Sequence, residues 1–510
     1  MVLHEIGQFR LPGLPKQSQS VSVSTRGVIV SAISYTLNTY SPNDKKNNRL
    51  SVKDQVHSYI CIIEHERPAV QQAPPQCIHL PLKQHINFSK NNNDNTNVDL
   101  SDIHAFSLFV SSTGEDVYLL VQLGANRQDK IMNSNQNPQY NKTSTYLYRR
   151  EVRREPPVDS SLSDEEEDAN DNKRKYILNS QGEYVYYVKL PYVIDDRNID
   201  FNVFAPLSTG RPFLSQPGPN AYNDSVTQVL VAGGGGLTGQ PSSLLLYTLS
   251  PARRSMTLEF CVHFDSFLGS LAIQDLLFPS GDDFSTVLMQ CQHTLLRVSL
   301  PTIIDLAREE LEKQNHNSQS TLYLDASSAI CGRYAWDRHA PLTCSTVVQG
   351  NQRHILSATE SGAVLRWDLL TGTAVSRPLR ACDASLDGVS ITGVHAPSFT
   401  TFYTTTSNGY LVQWEYNSNK VALDAGVPPP SALTDYSAIE IQHRTATSGE
   451  ENHNSNNNEN RFDYTPTLLY GGSSWSTGGV GGEGFQLLCG AGSVLLLTGE
   501  LGTVTYLDEI

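Results

Sequence analysis

Apolar and polar positions alternate in short runs along most of this chain. "SVSVSTRGVIVSAISYTL" (Ser20 to Leu37) alternates on both sides of Arg26-Gly27 and predicts two strands joined by a turn. "HSYICIIEHE" and "QCIHLPL" predict two more, and "IHAFSLFVSSTGEDVYLLVQLGA" (Ile103 to Ala125) a further strand–turn–strand pair. The theme continues through "STYLYRREV", "GEYVYYVKLPYV", "TQVLVAGGGG", "SSLLLYTLS", "TLEFCVHF", "STVLMQCQ" and "TLLRVSLP". β-branched and aromatic residues fill these runs, and Gly, Asn, Asp and Pro punctuate them. "PTIIDLAREELEKQNHN" alone has a helical period, with Ile304, Ala307 and Leu311 on one face. The pattern predicts an all-β chain with one short connecting helix.

Three stretches near the C-terminal end repeat one design. "HILSATESGAVLRWDLLTG" (His354 to Gly372), "TFYTTTSNGYLVQWEYN" and "FQLLCGAGSVLLLTGELGTVTYLDE" each run from an apolar strand into a turn at Ser-Gly, Asn-Gly or Leu-Gly. A second strand follows, read as Val364-x-x-Trp367, Leu411-x-x-Trp414 and Val504-x-Tyr506. This unit resembles the WD repeat, a four-stranded antiparallel blade with an aromatic–acid pair closing its third strand. Trp367-Asp368 matches that pair, and Trp414-Glu415 keeps the tryptophan and substitutes the acid. One blade cannot bury both faces of its sheet, so the units must stack around an axis.

Grouping the strands gives seven units, at about 20–82, 101–190, 198–263, 268–326, 340–380, 387–440 and 484–510. The expected architecture is a seven-bladed WD-repeat-like β-propeller over residues 1–510. The last unit has three strands, and "HEIGQFRLP" near the N-terminus supplies a fourth that would close the ring and remove its open edge. Polar inserts interrupt the pattern at about 87–100, 126–144, 156–175 and 443–462. Rich in Asn, Ser and acids, they cannot bury enough apolar area to offset ordering, and disordered loops are expected there.

The charge balance, 37 basic against 52 acidic residues and a net −15, repels phosphate backbones, so nucleic acid is not an expected partner. "RREVRRE" (Arg149 to Glu155) is the one basic cluster, and it flows into an acidic run. The eight cysteines lack any C-x-x-C or zinc-type spacing, and several sit inside apolar runs. They are expected to be reduced core thiols, which favours nucleus or cytoplasm over secretion. "MVLHEIGQFRLPG" lacks the layout of a secretory signal, and no apolar run is long enough to span a bilayer.

Candidate chemistry is sparse. "AGGGGLTGQPSS" (Ala232 to Ser243) has neither the lysine nor the following helix of a phosphate loop and is expected to be a blade turn. Ser163 precedes five consecutive acids, Asp164 to Asp168, and resembles an acidophilic-kinase acceptor, a phosphorylation site that would extend or dock its loop. In WD repeats a histidine ahead of the first blade strand bonds the turn aspartate and the tryptophan. His339, ahead of "APLTCSTVV", stands where the resemblance implies such a structural role. Trp367, Asp368, Trp414 and Glu415 are read as blade-structural residues. No catalytic residue, metal ligand, cofactor or small-molecule substrate is expected.

The order of the last three units, with a polar insert before a short final one, is similar to the small peripheral WD-repeat nucleoporin (forty-three-kilodalton class) of the Y-shaped nuclear pore complex. That resemblance covers the C-terminal third and implies a structural subunit of the pore's outer ring. Two other readings stand beside it: a WD-repeat adaptor in a ubiquitin ligase, vesicle coat or chromatin complex, and a propeller hydrolase with catalytic groups near the axis. The first two imply protein partners within a larger assembly.

Overall fold

A computed structural model describes residues 3–23, 28–39, 55–66, 76–80, 100–110, 117–125, 144–150, 184–189, 201–207, 227–234, 242–250, 255–264, 272–279, 285–313, 324–335, 341–349, 353–374, 379, 389–416, 464–470, 485–491, 493–499 and 502–509. The four polar inserts fall outside these residues, except that Leu100 and Ser144 open strands. Ser163 and His339 also lie outside them.

The described strands form seven sheets. After β1 (Leu3–Arg10), blade 1 comprises β2 (Leu14–Val23), β3 (Val28–Thr39), β4 (Gln55–Glu66) and β5 (Gln76–Leu80). Blade 2 comprises β6 (Leu100–Val110), β7 (Val117–Ala125), β8 (Ser144–Arg150) and β9 (Tyr184–Lys189). Blade 3 has β10 (Phe201–Leu207), β11 (Thr227–Gly233), β12 (Ser243–Ser250) and β13 (Ser255–His263). Blade 4 begins with β14 (Asp275–Leu277), β15 (Thr286–Cys291) and β16 (Thr294–Ser299), followed by helix α1 (Leu300–Lys313). A short β17 (Leu324–Asp325) and β18 (Ile330–Ala335) come next. Blade 5 has β19 (Leu342–Val347), β20 (His354–Thr359), β21 (Val364–Asp368) and β22 (Thr373–Ala374). Blade 6 has β23 (Ile391–His395), β24 (Thr401–Thr406), β25 (Leu411–Tyr416) and β26 (Tyr464–Tyr470). Blade 7 has β27 (Phe485–Ala491), β28 (Val494–Gly499) and β29 (Thr503–Glu509), with β1 added outside β29.

The first strands of the blades line the axis. β2 touches β6, β6 touches β10, and the series runs on through β14, β19, β23 and β27 back to β2. Among the described residues, seven apolar clusters lie between successive sheets of this ring. Val30, Ile60, Leu119 and Val121 join blades 1 and 2, and Tyr118, Leu147, Val231 and Tyr247 join 2 and 3. Further clusters join 3 to 4, 4 to 5, 5 to 6 and 6 to 7. The last, with Ile33, Tyr35, Leu496 and Tyr506, joins 7 to 1. Both faces of each sheet are covered, which is why strands such as "TVLMQC" and "VLLLTG" are buried at every position instead of alternating.

Three strands depart from the sequence grouping. Blade 4 was bounded at 326, yet its outer strand is β18, which pairs with β16. The chain first leaves as α1, packing Leu300, Ile303, Ile304 and Ala307 into the cluster between blades 3 and 4. β17 then pairs in parallel with β13, making blade 3 five-stranded. Blade 6 was bounded at 440, but its fourth strand, β26, follows the 443–462 insert, which therefore lies inside this blade. At the seam, β1 pairs with β29 through Phe9–Val504 and Gly7–Tyr506, with a bulge between Glu5 and Gly7.

Candidate functional site

The hairpins that carry the repeat can be superposed by register. Ala358–Val364, Thr405–Leu411 and Thr498–Val504 are equivalent pairs beside turns with Gly362, Gly409 and Gly502. All three glycines have positive φ, which a side chain would strain. In blade 5 the Thr359 hydroxyl accepts the Ala363 N–H at 3.0 Å, and in blade 6 Thr406 does the same for Tyr410. The turns lean on the next blade: a Cβ on Gly362 would meet the Val389 carbonyl, and Leu11 N–H donates to the Gly502 carbonyl.

This register corrects one sequence alignment. Three residues on from Val364, Leu411 and Val504 stand Trp367, Trp414 and Leu507, so Leu507 occupies the tryptophan position, not Tyr506. A one-residue offset reverses the face of a strand. Leu507 accordingly packs toward blade 6, while Tyr506 faces blade 1 and its hydroxyl bonds Ser31 across the seam. Burial keeps that phenol well above its ordinary range and hence protonated.

Trp367 and Trp414 are both buried, each on the face turned toward the preceding blade. Trp367 sits with Leu288, Leu295 and Tyr334 of blade 4, its ring 6.0 Å from that of Tyr334. Trp414 lies against Leu356, Ala358 and Val364 of blade 5 and stacks on Phe402 at 5.4 Å. Their polar edges differ. The Trp414 indole N–H donates to Thr404 Oγ1 at 3.0 Å, whereas Trp367 Nε1 has no partner. Ser357 takes the place of Thr404 in blade 5 and accepts instead from Ser345.

Asp368 anchors the turn that follows β21. Its carboxylate accepts the backbone N–H groups of Leu370 at 2.9 Å and Thr371 at 3.4 Å. Arg353 donates to it from Nε at 2.6 Å and Nη2 at 2.5 Å. Burial pushes the Asp368 carboxyl up, but these hydrogen bonds prevail and hold it below the usual carboxylate range. The next carbonyl, on Leu369, receives Arg297 Nη1 at 3.2 Å and the Tyr334 hydroxyl at 3.0 Å from blade 4, and Leu369 N–H donates to the Arg353 carbonyl. This turn is thus fixed from its own blade and from the neighbouring one, while the Leu370 side chain is 73% exposed at its tip. Glu415, the counterpart of Asp368, is exposed and accepts from Gln413; Thr400 stands where blade 5 has Arg353.

Arg353, Arg297, Tyr334 and Thr404 were missed from the sequence. Arg353 had a findable signal, since it directly precedes His354, the strand partner of Asp368. Removing Asp368 deletes two turn hydrogen bonds as well as the ion pair, whereas Arg353 is largely solvated. Asp368→Ala is therefore expected to lower the thermal midpoint more than Arg353→Ala, and scanning calorimetry of both variants checks the order.

Several groups with catalytic character among the described residues are otherwise employed. Ser243 Oγ lies 2.8 Å from His263 Nδ1, with Cys261 Sγ 3.9 Å from Nε2, but all three are enclosed and out of reach of a substrate. Burial raises the Cys261, Cys291 and Cys344 thiols to about 12, so none is a ready nucleophile. Among the inner-strand side chains the structure describes, Asp275 and His395 belong to blades 4 and 6, which blade 5 separates. Arg150 of the basic cluster is buried, so it is not a surface cation. The Cys261, Cys291, Cys331, Cys344 and Cys489 thiols form no disulfide, as expected, but Cys61 is disulfide-bonded. That corrects the reading of every cysteine as a reduced thiol. Among the described residues no helix is long and apolar enough to cross a membrane.

The ring of sheets, the repeated hairpins and the buried tryptophans define a WD-repeat-like β-propeller. No protein-family model matches the chain, and no curated protein matches it. Among solved structures it is similar to Raptor from Chaetomium thermophilum, with a TM-score of 0.44 and 9% identity, covering 99% of this chain. It spans 28% of that protein's chain. It is also similar to a chain of a mitotic checkpoint complex, with a TM-score of 0.44 and 8% identity, covering 99% of this chain and 91% of the other. The fold assignment rests on this chain's own strand register and ring of contacts.

Proposed function

We propose that this protein is a non-catalytic interaction scaffold, and that its setting is the outer ring of the nuclear pore, within the Y-shaped complex. The observation that carries the scaffold reading is the turn Asp368–Gly372. Its backbone is held by the Arg353 carbonyl, Arg297 and Tyr334, and it displays Leu370 to solvent. A rigid scaffold presenting fixed loop tips spends little ordering entropy on binding. The acidic balance favours partners with a basic face. The pore setting draws on the resemblance of the C-terminal third. Free thiols suit a reducing compartment, and the Cys61 disulfide is the observation that opposes it.

Affinity purification of the tagged full-length chain with mass spectrometry tests both levels. Recovery of pore-ring subunits and a rim of fluorescence at the nuclear envelope support the proposal. A ligase, coat or chromatin assembly in their place retains the scaffold and removes the pore, as does a tag confined to the cytosol. Leu370→Glu is expected to weaken capture of the partner roughly tenfold with an unchanged thermal midpoint. Undiminished capture would take Leu370 out of the interface.

A further inference from the structure

β14 is three residues long, the shortest of the seven strands that line the axis. Its first residue, Asp275, stands directly opposite Gln290 of β15, and opposite residues of an antiparallel pair share one face. Gln290 is 1% exposed. Its Nε2 reaches Gln274 Oε1 at 3.5 Å, while its Oε1 is enclosed and has no donor. An enclosed acceptor without a donor is a standing cost to the fold, and the group facing it gains a donor only by taking up a proton.

We propose that Asp275 carries that proton and donates it to Gln290 Oε1, so that the inner hairpin of blade 4 is a pH-responsive joint in the ring. The surroundings agree. Asp275 is half-buried at the surface, and the desolvation around its carboxyl pushes it up to about 6, held back by the Leu276 N–H it accepts at 2.8 Å. Among the described elements, those packed most closely on β14 are β10, β15 and β19. Their sequences, "FNVFAPL", "TVLMQC" and "LTCSTV", contain no basic residue, and their titratable groups are Cys291 and Cys344. Both thiols are raised to about 12 and stay neutral, so no countercharge from these strands stabilises the carboxylate. Because the folded state binds the proton more tightly than the unfolded chain, the contribution is complete below about pH 4, the unfolded carboxyl's range. It is lost as pH rises through about 6.

The test compares thermal midpoints of the full chain, Asp275→Asn and Gln290→Met from pH 4.5 to 8. Asparagine donates an N–H at every pH, so Asp275→Asn is expected to match the native chain at pH 4.5 and to exceed it by about 1–3 °C at pH 7.5. In Gln290→Met the neutral acid loses its acceptor, and the step in the native profile should move to lower pH. If the Gln290 amide is instead turned with its N–H toward a charged Asp275, the signs reverse. Asp275→Asn would then gain nothing at pH 7.5, and Gln290→Met would move the step upward. Either result, or a difference between native and Asp275→Asn that does not change with pH, overturns the proposal.

Discussion

Gly490→Ala should destabilise the fold by about 2–4 kcal/mol, more than one added methyl group costs at most buried positions. Gly490 lies on β27, where a Cβ would fall inside the ring of His395 from β23. That ring is buried and has nowhere to swing. The contact is reciprocal, since Gly393 on β23 sits against β27 in turn, and a Cβ there would meet Leu488 Cβ at 2.7 Å and Thr405 Oγ1 at 2.9 Å. Two strands with bulky and absent side chains in opposite order allow blades 6 and 7 to approach closely. Combining Gly490→Ala with His395→Ala frees the space, so the pair should show a favourable coupling above about 1 kcal/mol in a double-mutant cycle. Urea unfolding of the four proteins measures it, and additive effects would show that the interface yields elsewhere.

Trp367→Ala and Trp414→Ala are each expected to cost about 3–5 kcal/mol, because each empties the space between two blades. The phenylalanine variants separate packing from polarity. Trp414→Phe loses both ring volume and the hydrogen bond to Thr404, and it leaves that hydroxyl without its donor. Trp367→Phe loses volume alone, and it removes an enclosed N–H that has no partner. Trp414→Phe should therefore be the costlier of the two by about 1 kcal/mol, read from the same unfolding curves. Equal costs would mean that the indole hydrogen bond contributes nothing to blade 6.

The hairpins around Trp367 and Trp414 were legible because two local signals coincide there, an alternating strand and a glycine that must take positive φ. Tyr506 misled for a related reason: aromatic character marks a buried position, but with both faces covered only register says which neighbouring blade a side chain meets, and register is fixed by the partner strand. The outer strands of blades 4 and 6 were hidden by the same limit. β18 and β26 each follow an excursion, one through α1 and β17, the other through a polar insert, and no local pattern tells a strand to return to the sheet it left. The brace on the turn after Asp368 comes half from blade 4, through Arg297 and Tyr334 at the Leu369 carbonyl, and such a cross-blade contact leaves no trace in the spacing of either segment.

The pairing of β1 with β29 sets an order on biogenesis. Gln8 and Thr505 bond side chain to side chain across 497 residues of sequence. During translation the first strand emerges long before its partner exists, so six sheets can assemble while it waits unpaired. Closure of the circle consequently waits for β29, the last strand of the series, and until it occurs the nascent ring carries an open edge.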